Sequence, residues 1–236
     1  MILAPRFAWL HLHKSGGTFV NELLLRYVPG ARRLGYHLPR SLLPPEAAGL
    51  PVLGTVRSPW SYYVSWYAFQ RTRPTPNALF RVLSDGGVLD FRATIARLAT
   101  LGESPALLDA VVASLPATYT NQGLNLPGFA LESIRGSGKG FYSWLHDHLY
   151  GATGPGGGDE PLHVGRMESL RADVRWLLEL VGEPVTPDLD AALRAMPARN
   201  VTAHGPYADY YDTTLAQLVG ERDAAVALTY GYRFGD

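Results

Sequence analysis

A chain of 236 residues, 47% hydrophobic and 18% charged, is long enough to bury a substantial core and too apolar for global disorder. Its formal net charge of zero argues against a dedicated nucleic-acid binder, and the absence of cysteine excludes disulfides, thiol nucleophiles, thiolate zinc sites and Fe–S clusters. No apolar run reaches the ~18 residues of a membrane span. Arg6, His11, His13 and Lys14 interrupt any signal-peptide core, so a single cytoplasmic domain over residues 1–236 is expected.

In chain order, an apolar, strand-like run over residues 6–12 leads into a glycine-containing loop at 13–18 and a helix to about Val28, stopped by Pro29-Gly30. A Pro-rich connection from Leu38 to Pro51 precedes Val52-Leu53-Gly54-Thr55-Val56, a short run suited to a buried parallel strand. Arg57 falls where that strand ends. Ser58-Pro59 then starts a helix expected over 59–71. The stretch from about 75 to 150 is mostly helical in pattern, most clearly at 105–115. Gly154–Glu160 reads as a loop. A strand over 162–167, a helix over 168–181 and a last helix over about 212–229 complete the chain. This order predicts an α/β fold in which helices flank a parallel sheet, with a mostly helical middle and C-terminal portion.

Lys14-Ser15-Gly16-Gly17-Thr18 is the stretch richest in chemistry. A strand–loop–helix aims backbone N–H groups and the positive end of a helix dipole at one point, which suits a phosphate. The chain has two lysines, Lys14 and Lys139, against nineteen arginines, so a lysine here marks a need for a compact, mobile ammonium. The loop is not a Walker A motif, whose lysine follows the second glycine. Arg57, at a strand's carboxyl end, and Ser65, eight residues later, supply a second candidate grip for phosphate.

Taken together, the two motifs resemble those of the 3′-phosphoadenosine 5′-phosphosulfate (PAPS)-dependent sulfotransferases. The likeness is to the bacterial, carbohydrate-type, 2-O-sulfotransferase-like branch. It is specific over residues 7–70, including His11-Leu12-His13-Lys14, and weaker at Arg166–Leu170 and Tyr230–Phe234. The resemblance implies a P-loop-like fold and PAPS as co-substrate, with no metal. Lys14, Ser15, Gly16, Gly17 and Thr18 would hold the 5′-phosphosulfate, and Arg57 and Ser65 the 3′-phosphate. Two positions depart from the pattern. Ser58 stands where an acidic residue is usual, and Tyr62 where an arginine is common, so local ion pairs are lost while the phosphate-gripping positions remain.

The implied reaction moves a sulfuryl group to a hydroxyl of a carbohydrate, lipid or secondary-metabolite acceptor, and so needs a base. His37, twenty residues before Arg57, matches the catalytic histidine of the 2-O-type relatives; Glu22 is the rival. Lys139, in the glycine-rich segment Arg135–Gly140, is a further candidate for the cofactor. His11 with His13, and His146 with His148, lack a third ligand, so no metal site is expected. A P-loop kinase using ATP and Mg²⁺, or an inactive nucleotide-binding interaction protein, are the alternatives.

Overall fold

The computed structural model describes residues 1–151, 160–199 and 202–236. In chain order these form β1 (Ile2–Leu3), β2 (Ala8–Trp9), α1 (Gly17–Tyr27), β3 (Arg32–Arg33), β4 (Val52–Val56) and α2 (Pro59–Arg71). After α2 come α3 (Ala78–Leu83), α4 (Phe91–Ala99), α5 (Pro105–Ser114), α6 (Gly128–Leu131) and α7 (Phe141–Tyr150). The chain closes with β5 (Leu162–Arg166), α8 (Leu170–Leu180), α9 (Pro187–Ala195), α10 (Thr213–Arg222) and α11 (Ala224–Tyr230). Helices 59–71 and 105–114 and strands 52–56 and 162–166 fall where the sequence puts them. The loop expected at Gly154–Glu160 lies, apart from Glu160, outside the described residues.

Two compact units divide the chain. The first comprises residues 1–57 and 148–201, and the second residues 58–147 and 202–236. The first unit holds the whole sheet, in the order β3-β1-β2-β4-β5. The sheet is mixed rather than parallel. β2, β4 and β5 run parallel, whereas β1 pairs antiparallel with both β2 and β3. The departure arises because the chain opens with a hairpin, Ile2 facing Trp9 across the Pro5-Arg6 turn, and two-residue strands carry no alternation to read. For the same reason the expected strand over 6–12 is regular only at Ala8–Trp9.

Helices α1, α8 and α9 bury their apolar stripes against the sheet. Phe19, Val20, Leu23 and Leu24 of α1 pack with Trp9 and Leu53 of the strands, Val174, Leu177 and Leu178 of α8 and Leu189 of α9. On β4 the side-chain space at Gly54 belongs to Tyr150, whose hydroxyl would lie 2.4 Å from a Cβ there. Beyond Leu10, whose N–H bonds the Leu53 carbonyl, β2 no longer supplies partners to β4. The Tyr150 hydroxyl takes its place. It accepts from the Thr55 N–H (3.1 Å) and donates to the Thr55 carbonyl (2.9 Å). The Pro-rich connection is tied down by a buried ion pair, Arg40–Glu160, at 3.0 Å.

The second unit is helical. Its centre is Asp223, which is fully buried and separates α10 from α11, where the sequence suggests one continuous helix. The break turns the carboxylate inward, where it accepts from the Tyr63 hydroxyl (2.7 Å) and from the backbone N–H of Ser143 (2.7 Å). Ser143 is in the first turn of α7, so Asp223 caps that helix from a distant part of the chain. Gly140 leaves the room, since a Cβ there would meet the carboxylate oxygens at 2.6 Å.

Burial raises the Asp223 pKa from 3.8 to about 6, against the opposing hydrogen bonds of Tyr63 and Ser143. A folded-state pKa above the unfolded one gives stability that is present below about pH 4 and lost as pH rises through about 6. The unfolding midpoint of the wild type should carry this downward contribution between those pH values. Asp223→Asn should remove it, which denaturant melts across the range will check.

Candidate functional site

Parallel β2 and β4 end side by side in the first unit, and the segments that leave the two strands meet at that edge. After β2 the chain runs through buried Leu10, His11, Leu12 and His13 into a turn, and α1 begins at Gly17. Lys14 and Gly16 both adopt left-handed backbone, with φ of 58° and 81°. Gly16 is required twice over, because a Cβ would also lie 2.6 Å from Leu170 and 2.7 Å from the Met167 sulfur. Gly17 is required for a different reason. The His11 ring occupies its side-chain space, leaving a hypothetical Cβ 1.8 Å from Cδ2.

Strand β4 anchors the turn. The Thr55 hydroxyl donates to the Ser15 carbonyl at 2.6 Å, and the guanidinium of Arg57 donates to the Lys14 carbonyl at 3.3 Å. Both loop carbonyls are thereby engaged by Thr55 of β4 and the residue just beyond the strand. Among the described residues no side chain caps α1, and the N–H groups of Gly17, Thr18 and Phe19 have no acceptor within the helix, the first internal bond running from Val20 to Gly16. Beside these amides the fold holds two cations together. Burial, and secondly the charge of Arg57, lower the Lys14 pKa from 10.5 to about 8. Two neighbouring cations at an uncapped helix start are suited to a strongly charged anion.

His37 lies in the same unit, in left-handed backbone with φ of 49°. Its ring stacks on that of His13 (centroids 3.5 Å apart, planes at 15°) and tilts against that of His11 (4.2 Å, 45°). His37 Nδ1 is 2.7 Å from the His11 carbonyl, which can only accept, so Nδ1 carries the proton and Nε2 presents a lone pair. Burial, then the neighbouring His11, hold the His37 pKa well below the usual imidazole value. Burial followed by His13 does the same to His11. His37 and His11 are therefore neutral near pH 7, and His37 is in the form a proton acceptor requires.

Glu22, the rival base, sits on α1 with both oxygens engaged by Arg199, at 2.8 and 2.9 Å. The Arg199 hydrogen bond lowers its pKa, which suits a held anion better than a proton acceptor. Ser65 and Lys139 belong to the second unit. Ser65 is buried on α2. Lys139 donates to Asp147 at 2.5 Å, and Arg135 of the same segment is paired with Asp109 and Glu132.

The structure adds two residues that the sequence did not single out, Thr55 and Asn21, and gives His13 a contact that the sequence did not show. Thr55 is the one polar residue within β4, a legible signal. Asn21 is a polar residue on the buried side of α1, and its amide donates to His11 Nδ1 at 3.3 Å. His13 is the stacking partner of His37. Among the described residues no group of three His, Asp or Glu side chains could hold a metal ion, and no helix is long and apolar enough to cross a membrane.

The sequence matches no family model and no curated protein.

Sulfate, whose charge does not change as Lys14 titrates, is a suitable probe of the loop. Its affinity should fall as pH rises through about 8, where Lys14 loses its proton, and Lys14→Gln should abolish that dependence. Titration calorimetry at several pH values checks both.

Proposed function

We propose that the chain is a PAPS-dependent sulfotransferase with a P-loop-like first unit. The observation that carries this reading is the pairing of Lys14 with Arg57 beside the uncapped start of α1. It joins the two motifs on which the sequence resemblance rests. The amides of Gly17 and Thr18 with Lys14 would hold the 5′-phosphosulfate, and Arg57 the 3′-phosphate, in keeping with the resemblance.

In the reaction, an acceptor hydroxyl oxygen forms a bond to sulfur as the bond from sulfur to the bridging phosphate oxygen breaks. The hydroxyl proton passes to Nε2 of His37, whose tautomer the His11 carbonyl fixes. Lys14 stabilises the negative charge that gathers on the leaving phosphate, so most of the catalysis is positioning and preorganised charge. His37 is favoured over Glu22 because Arg199 already occupies both Glu22 oxygens.

Transfer of labelled sulfate from PAPS to a panel of hydroxylated acceptors is the direct test. Lys14→Ala should abolish turnover, and Arg57→Ala should chiefly weaken binding of PAP, the desulfated product. His37→Ala should slow the chemical step by about 10²–10⁴-fold, the usual cost of losing a general base. Tighter binding of ATP·Mg²⁺ than of PAP, or near-wild-type turnover by Lys14→Ala, would overturn the assignment.

A further inference from the structure

Within the first unit, a cavity of about 560 Å³ opens along α1, a size suited to a small molecule. It is lined by Thr18, Asn21, Glu22, Leu25 and Arg26 of α1 and by Arg33 and Tyr36. Thr18 belongs to the first turn of α1 and Tyr36 directly precedes His37. The cavity therefore adjoins both the anion-binding loop and the histidine cluster.

Two features of the lining point to a ligand. Asn21 is 2% exposed, and among the described residues its Oδ1 has no hydrogen-bond partner although the amide nitrogen is committed to His11. A buried carbonyl oxygen on a cavity wall calls for a donor from outside the chain. The charge is also uneven. Among the described residues neither Arg26 nor Arg33 forms an ion pair, while Glu22, the one acid on the wall, is neutralised by Arg199. The Arg33 guanidinium lies over the Tyr36 ring, 4.7 Å from its centroid, which limits its rotamers and presents a planar fork. A planar fork matches a carboxylate.

We propose that this cavity is the acceptor site and that it selects a hydroxylated carboxylic acid. The carboxylate meets Arg33, assisted by Arg26; without PAPS the hydroxyl donates to Asn21 Oδ1, and in the reacting complex it turns its proton to His37 Nε2. Leu25 and Tyr36 cover the apolar body of the molecule. The acceptor role rests on the sulfotransferase reading; the preference for a carboxylate does not.

The probes are 4-hydroxyphenylacetate and 3-phenyllactate, each compared with its methyl ester by calorimetry on the full chain without PAPS. Each acid should bind about tenfold tighter than its ester, the worth of one charge-assisted hydrogen bond. Arg33→Gln combined with Arg26→Gln should bring acid and ester to within about twofold, and Arg33→Lys should restore part of the difference. PAP affinity should be unchanged in these variants. Equal binding of acid and ester by the wild type, no binding of either, or a preference that survives the double substitution would each overturn the carboxylate preference. If acids are preferred but PAP does not bind, the preference stands and the acceptor role falls with the sulfotransferase reading.

Discussion

Thr55 makes three hydrogen bonds on which the first unit depends, two through its backbone and one through its hydroxyl. The parallel pairing of β2 and β4 has to stop for the chain to leave β2 and form the loop before α1. Where it stops, the N–H and C=O of Thr55 would be left buried and unpaired, at a cost of about 1–3 kcal/mol each. The Tyr150 hydroxyl satisfies both. The Thr55 hydroxyl reaches forward to the Ser15 carbonyl and fixes the loop to the strand that leads into Arg57. Termination of the β2–β4 pairing and placement of Lys14 beside Arg57 are thus one problem with one solution.

The same economy governs the electrostatics. Lys14 and Arg57 repel, and burial of Lys14 adds to the cost, as its lowered pKa records. That strain is sustained by packing elsewhere, in the cluster of Trp9, Leu53 and the apolar stripes of α1 and α8. An anion entering the loop, as proposed, would relieve it. On the proposed function, the site would be organised before its ligand arrives, so little binding energy would be spent on ordering it.

Much of this was legible in the sequence, for physical reasons that differ by residue. Pro59 at the first helical position and the five apolar-leaning residues of β4 are local signals, and both elements fall where they were read. The strand–loop–helix at 8–27 was legible because glycine and lysine punctuate an apolar run. The antiparallel β1 and β3 were not, since two residues carry no period. The break at Asp223 was hidden because its cause, the cap of α7, lies eighty residues away. His11 and His13 could be placed on one side of an extended chain, but their contact with His37 depends on where a Pro-rich connection returns. The same holds for Glu22, which reads as an available carboxylate until Arg199 is brought to it from the segment beyond α9.

The His11 ring standing in the side-chain space of Gly17 couples two positions that a sequence motif would treat as independent. Residue 17 is glycine because residue 11 is large, and residue 11 is held in its pose because residue 17 is empty. The tolerance of either position to change is therefore conditional on the other. Any lineage that replaced the imidazole with a small side chain would free the loop to accept alanine. It would also remove one of the two rings against which His37 rests, so sequence freedom at the start of α1 would be gained at the expense of the packing that holds His37.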